Sequence, residues 1–254
     1  MAEDFMKDGL LHCGVCGRPK EYKFSVLGID GTARVMCACE VEAEELKKDG
    51  WKDEQRMFHT EHMIADGVHD RARRNCRFEN AENTENIEKC LKYVENWPSM
   101  KAKNVGVLMW GTPGNGKSFA AACIANALIE RDVPVLMTSL PTILEDRDNI
   151  NIVKQMKEYD LVIIDDLGAE RQSQYALEKT FFVIDERYKI GKPLIVTTNQ
   201  RLDDMLAMRQ SGDIDHKRIY DRVLAMCVPM AFREGTRRNE EFKPRLDALK
   251  EAVQ

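Results

Sequence analysis

No apolar stretch in this sequence approaches the ~18 residues that a helix needs to cross a bilayer, so an ordinary helical membrane protein is excluded. Positive charge is not in excess either. Lys and Arg number 38 against 43 Asp and Glu, giving a formal net charge of −5. That rules out a protein coated in cation for covering nucleic acid, but leaves room for a local basic groove. Cysteine is too sparse for a disulfide scaffold, with eight in 254 residues. There is no internal repeat and no low-complexity segment. The opening residues, Met1-Ala2-Glu3-Asp4-Phe5-Met6-Lys7-Asp8, are too acidic for a secretory signal. These absences together imply a reducing, cytoplasmic setting, where clustered Cys reads as metal ligand before disulfide.

The residues present are those of a globular protein, 43% hydrophobic and 32% charged. At roughly 150 residues per domain, the length suits one large domain or one domain with a small appendage. Four Cys fall between Cys13 and Cys39. Charges of both signs then dominate from Glu40 to about Asp70, with Val41, Leu46, Trp51, Met57, Phe58 and Met63 recurring loosely among them. This predicts a long, mostly exposed helix, broken near Gly50 and carrying His59, His62 and His69 on a solvated face. A basic cluster follows at Arg71, Arg73, Arg74 and Arg77. Residues 79–100 read as a helix with Ile87, Leu91 and Val94 on one face. Trp97-Pro98-Ser99 should end it, because the residue before proline avoids the helical region.

From Asn104 the texture changes. Short apolar runs at Val105–Trp110, Val133–Thr138, Leu161–Ile164, Leu194–Val196 and Met226–Met230 alternate with helix-length segments such as Phe119–Leu128 and Gln174–Tyr188. That alternation predicts an α/β fold, a parallel sheet flanked by helices. The expected divisions are an appendage at 1–70, a connector at 71–103, an α/β core at 104–240 and a tail at 241–254.

One motif carries clear chemistry. Gly111-Thr112-Pro113-Gly114-Asn115-Gly116-Lys117-Ser118 fits G-x-x-x-x-G-K-[ST], after an apolar strand and before an Ala-rich helix. Its glycines let successive N–H groups face phosphate oxygens, and the helix adds its positive end. Lys117 would reach the β- and γ-phosphates, and the Ser118 hydroxyl would bind Mg²⁺. Leu161-Val162-Ile163-Ile164-Asp165-Asp166 is an apolar strand ending in two carboxylates. Asp165 would support Mg²⁺, and Asp166 would act as general base on water. Asn199, ending the run Leu194-Ile195-Val196-Thr197-Thr198, has two readings, orienting the lytic water or capping the next helix.

Cys13-Gly14-Val15-Cys16-Gly17 and Cys37-Ala38-Cys39 form two pairs. Four thiolates on two tight turns suit tetrahedral Zn²⁺. Gly14 and Gly17 would free amides to face sulfur. A hairpin of Tyr22–Val26 and Thr32–Met36 around Asp30-Gly31 would bring the pairs together. His12 is a lesser candidate ligand. A redox dithiol and unrelated buried cysteines are the competing readings. Cys76, Cys90, Cys123 and Cys227 lie apart and read as small hydrophobes.

The order of these pieces, with Asp165-Asp166-Leu167-Gly168-Ala169-Glu170-Arg171, Thr197-Thr198-Asn199 and Arg218-Ile219-Tyr220-Asp221-Arg222, resembles the AAA+ ATPases. More narrowly it is similar to the DnaC/DnaI bacterial helicase loaders and the IstB transposition helper ATPases, over roughly residues 75–240. The resemblance implies an AAA+ P-loop NTPase with a small N-terminal zinc-binding module. It implies ATP, Mg²⁺ and Zn²⁺ as cofactors. Asn199 takes the sensor 1 position, and Arg222, or Arg218 nearby, that of an arginine finger reaching a neighbouring subunit's ATP. Arg237 or Arg238 matches sensor 2, and Arg77-Phe78-Glu79-Asn80 a segment against adenine. The implied partners are a replicative DNA helicase gripped by residues 1–70, single-stranded DNA and further copies of the chain, with no membrane. Arg71, Arg73, Arg74, Arg77, Lys154 and Lys157 are candidate DNA contacts. Many AAA+ proteins have Glu where this chain has the shorter Asp166, an Asp that loaders often show, and the resemblance implies slow hydrolysis, a switch rather than a motor. A transposase helper and a non-hydrolysing scaffold are the rival functions.

Overall fold

The computed structural model describes residues 3–26, 28–82, 84–145, 154, 156–168, 173–210 and 214–232, with backbone alone at 46–54 and 214–215. They divide into two compact units, Met1–His59 and Thr60–Gln254.

In the first unit, β1 (Phe5–Lys7) pairs antiparallel with β2 (Leu10–His12), and β3 (Glu21–Val26) with β4 (Ile29–Arg34). The second hairpin exists as expected but turns earlier. Val26 faces Ile29, while Asp30 and Gly31 lie within β4 opposite Ser25 and Phe24. The helix α1 (Ala38–Gly67) follows and runs through Gly50 without the expected break. One glycine costs about 1 kcal/mol in a helix, which 30 residues of otherwise helix-compatible sequence absorb. His69 lies past its end. From Thr60 onward the chain belongs to the second unit, where Gly67 lies against the Val135 carbonyl and Val68 bridges Met137 on an edge strand, and the His69 N–H donates to the Met137 carbonyl at 3.2 Å.

The second unit holds a five-stranded sheet. Its strands are β5 (Gly106–Trp110), β6 (Val135–Ser139), β7 (Leu161–Leu167), β8 (Leu194–Thr198) and β9 (Cys227–Ala231). They lie in the order β6-β7-β8-β5-β9, and every pairing is parallel. Parallel strands must be covered on both faces, which explains their unbroken apolar runs. Alternate residues serve opposite layers. Val107, Met109, Val135, Met137, Leu161, Ile163 and Ile195 join one core cluster, and Leu108, Leu136, Val162, Ile164, Leu194 and Val196 the other.

The first layer contains α2 (Glu85–Glu95), α3 (Trp97–Ala102) and α4 (Lys117–Ile129). Here the expected helix 79–100 is divided. Pro98 sits in the first turn of α3, where its missing N–H costs nothing. Cys90, Tyr93 and Val94 form the buried face of α2, and Leu91 is exposed. The opposite layer contains α5 (Leu140–Glu145), α6 (Gln174–Ile190), α7 (Leu202–Gln210) and α8 (Ile214–Met226).

Two polar devices fix the connections. Arg187 on α6 is fully buried and donates to the carbonyls of Met156, Tyr159, Asp160 and Pro193 at 2.6–3.2 Å. Desolvation pulls its pKa down to about 10. It ties the chain entering β7 and β8 to one helix. The basic cluster does similar work. Arg74 donates to the Ala65 and Val68 carbonyls at the end of α1, and Arg77 pairs with Glu130 at 2.6 Å. Asn126 holds the Arg73 and Cys76 carbonyls. Much of the cluster that composition offers to DNA is thus engaged in anchoring the connector. No helix among the described residues is long and apolar enough to cross a membrane.

Candidate nucleotide site and thiolate cluster

The phosphate loop leaves the C-terminal end of β5, near the middle of the sheet, and enters α4. Gly111 is forced by proximity, since a Cβ there would lie 2.2 Å from the Phe232 carbonyl oxygen. Gly116, at φ +80°, is the N-cap of α4 and supplies no side-chain cap, so the helix keeps its first turn for an anion. Lys117 is buried and its Nζ donates to the Gly111 and Thr112 carbonyls, both at 2.9 Å. Asn115 donates to the Thr112 hydroxyl and to the Phe232 carbonyl, tying the loop to the chain after β9. Ser118 follows, half-buried on the first turn.

The carboxylates come from β7, two strands away, and β8 lies between. Ile164 pairs with Val196 but Leu167 with Thr198, so Asp165 and Asp166 together face Thr197 across a β-bulge. Asp166 has φ +58°. Thr197, fully buried, donates its hydroxyl to Asp165 Oδ1 at 2.5 Å and accepts the Asp166 N–H at 2.9 Å. Thr197 stands in the Thr197-Thr198-Asn199 run, but the sequence marks no role for it. The available signal was a pair of polar residues at the end of an otherwise apolar strand. Asn199 is exposed one residue beyond β8. It is not the next helix's cap, because Arg201 accepts the Met205 N–H there.

The residues present fit a nucleotide and its metal. Ser118 and Asp165 offer the hard oxygen donors that Mg²⁺ takes. Asp165 Oδ2 has no protein partner among the described residues. Phosphate would meet Lys117, the N-terminus of α4 and the loop amides.

The two arginines on α8 do not join this group. The Arg218 guanidinium lies 4.5 Å over the Phe181 ring. Arg222 donates from Nε to Asp185 at 2.9 Å and sits 4.6 Å over Tyr188. Both line a cleft with Phe181, Asp185, Lys217 and Asp221 that contains no phosphate-loop residue. Asp185, which also pairs with Lys189, holds Arg222 charged by raising its pKa. Arg237, Arg238 and the segment 169–171 lie outside the described residues.

In the first unit, the Sγ atoms of Cys13, Cys16, Cys37 and Cys39 all lie within 4.8 Å of one another. Cys39 is 3.5 Å from Cys13 and 3.4 Å from Cys37. Tetrahedral Zn–S bonds of about 2.3 Å place sulfurs roughly 3.8 Å apart, so the set fits zinc. The second pair is not on a turn. Cys37 is the N-cap of α1, its carbonyl accepting the Val41 N–H, with Glu40 reaching back to the Cys37 N–H at 3.1 Å. The amides on sulfur also differ from expectation. Those of Val15 and Cys16 serve Cys13, and that of Arg18 serves Cys16. The Gly14 N–H instead goes to Asp4, and that of Gly17 to the Cys13 carbonyl.

Those amides, Cys16's first, draw the Cys13 pKa down to about 6. Cys39, hemmed in by the other three thiols, is pushed up to about 12. Four thiolates cannot coexist without a cation between them. His12 turns Nδ1 to the Gly17 carbonyl and its ring to Phe5, away from a ligand role. Lys20 closes the unit, joining Asp4 at 2.6 Å and Glu40 at 2.7 Å. The other four Cys are buried singly, as expected of small hydrophobes, with burial pushing Cys90 up to about 12.

A family model described as IstB-like ATP binding protein matches residues 46–241. The replicative helicase loader DnaC of Escherichia coli (strain K12) is 26% identical over 159 residues, covering 57% of this chain and 64% of that protein. A putative insertion sequence ATP-binding protein of Sinorhizobium fredii (strain NBRC 101917 / NGR234) is 26% identical over 178 residues, 62% of this chain and 59% of the relative. The chain thus spans a little under two thirds of these relatives. The solved structure of DnaI superposes with a TM-score of 0.55 at 20% identity, covering 64% of this chain and 93% of that one, a likeness of fold.

Proposed function

The chain belongs to the family of IstB-like ATP-binding proteins and has the AAA+ P-loop fold, and from that premise we propose that it is an ATP-hydrolysing loader of a replicative DNA helicase onto single-stranded DNA. The observation that carries this reading is a compact four-thiolate unit ahead of a phosphate loop and a carboxylate pair. The first would be the grip on the helicase, within residues 1–70. The second, in the core 104–240, would be the switch. It would work in the cytoplasm as an assembly of several copies.

In this reading the loop amides and Lys117 bind the phosphates, and Ser118 and Asp165 hold Mg²⁺. The metal, when bound, offsets charge on the β- and γ-phosphates. Asp166 takes a proton from the attacking water, and Asn199 fixes that water's direction. Arg222, or Arg218 beside it, reaches the γ-phosphate of a neighbouring copy, and Arg237 contacts phosphate in its own. Arg71, Lys154 and Lys157, all exposed, are the DNA contacts. Turnover stays below the ~10 s⁻¹ of a median enzyme.

The test uses the full chain with a purified replicative helicase and a single-stranded DNA circle. We expect ATP-dependent transfer of helicase to DNA, abolished by Lys117→Ala. A second reading, a transposase helper, is favoured by the insertion-sequence relative, whose matched length is greater than that of the loader. Retention of a transposase but no helicase would establish it over the first. Unchanged activity of Lys117→Ala would favour a non-hydrolysing scaffold.

A further inference from the structure

We propose that Thr197 is a positioning residue that aims both hydrolytic carboxylates through its single hydroxyl. The inference rests on the reading of Asp165 and Asp166 as the metal-supporting and proton-accepting pair.

The hydroxyl has one hydrogen and acceptor lone pairs, and both kinds of capacity are used at once. Its hydrogen goes to Asp165 Oδ1 at 2.5 Å, and a lone pair receives the Asp166 N–H at 2.9 Å. Because the amide can only donate, the hydroxyl's hydrogen is left for the carboxylate. Asp165 is thereby held as an acceptor, with Oδ1 engaged and Oδ2 left for a cation. The Asp166 N–H is the ladder group that a bulge would otherwise leave unpaired. Thr197 satisfies it from a side chain, and so holds Asp166 at φ +58°.

Position 197 also explains why the hydroxyl is stiff. It lies on β8, between the phosphate-loop strand and the carboxylate strand, with no exposed surface. A β-branched side chain in a fully buried strand has little rotamer freedom. A hydroxyl in this place would be costly without partners, and it has two. The bulge interrupts the alternation by which a regular strand sends consecutive side chains to opposite faces of the sheet.

The experiment compares Thr197→Val, which keeps shape and removes the hydroxyl, with Thr197→Ser, which keeps the hydroxyl. In nucleotide-free protein, amide hydrogen exchange at Asp166 should quicken at least about tenfold in the valine variant and not in the serine one. ADP binding without metal should be unchanged in both. Mn²⁺ affinity in the ADP complex and kcat should each fall by about 10–100-fold for valine, as for other partners of metal ligands, with KM steady. Serine should restore both. Thr197→Ala repeats the test with less bulk. Wild-type exchange and metal affinity in the valine and alanine variants would overturn the proposal. So would a serine variant as impaired as valine, which would mean packing alone. If Asp165→Asn leaves Mn²⁺ affinity intact, the underlying reading of Asp165 fails instead.

Discussion

Asp166 shows how one backbone angle can choose a side chain. A left-handed φ near +58° strains L-residues by about 1–2 kcal/mol, and Asp and Asn tolerate it best after glycine. The AAA+ resemblance leads one to look for Glu here. The longer acid would add no local hydrogen bond to offset the strain, so the bulge itself favours Asp. We expect Asp166→Glu to lower stability by about 1 kcal/mol in denaturant melts without raising turnover. Asp166→Asn should keep the stability and lose hydrolysis. A glutamate variant that turns over faster at unchanged stability would defeat the account.

Elements carry the thiolate site. The knuckle after β2 presents Cys13 and Cys16, and the first turn of α1 presents Cys37 and Cys39. The first turn of α1 contributes geometry, but crowding by the other thiols still pushes Cys39 up, so a cation is needed to hold all four as thiolates. Short hairpins of two strands are marginal by themselves. Lys20, which joins Asp4 to Glu40, adds order to the unit, and a zinc ion in the thiolate cluster would add more. The protein should carry about one zinc per chain, lost on Cys16→Ser. Chelator should speed amide exchange in β1 to β4 while the core's melting temperature holds. Full protection of these strands in metal-free protein would contradict a structural zinc.

At the scale of the molecule, the sheet order puts the chemistry in one place. Inserting β8 between β5 and β7 lines up the phosphate loop, Thr197, Asn199 and the carboxylates at the strands' C-terminal ends, the edge where open α/β sheets bind ligands. Arg222 stands apart from it, gripped at Nε by Asp185 and over one face by Tyr188. In the proposed assembly it serves a neighbour. Arg222→Ala and Lys117→Ala chains should then each hydrolyse ATP at least about tenfold more slowly, given the size of arginine-finger effects. Mixing them should recover part of the rate. Recovery that is absent, with both variants folded, would argue against exchange of catalytic groups between copies.

Local chemistry was legible in the residues themselves. Glycine and lysine at fixed spacing mark a phosphate loop, apolar runs mark buried strands, and paired Cys mark a thiolate cluster, because each depends on a few neighbours in the chain. Departures from what the residues imply were also local. A glycine did not break α1, and a proline opened α3 where it was expected to close a helix. What sequence alone could not yield was adjacency. Strand order follows from burial on two faces, which no short window contains. Only with β8 in place does Thr197 meet the Asp165 carboxylate and the Asp166 amide, 32 and 31 positions away. Likewise Arg74 and Arg77, which looked available to DNA, met carbonyls and Glu130 once the chain folded. The sequence determined which groups the protein owns, and the tertiary structure decided which of them are free to act, since a buried hydrogen-bonding group must take its nearest partner.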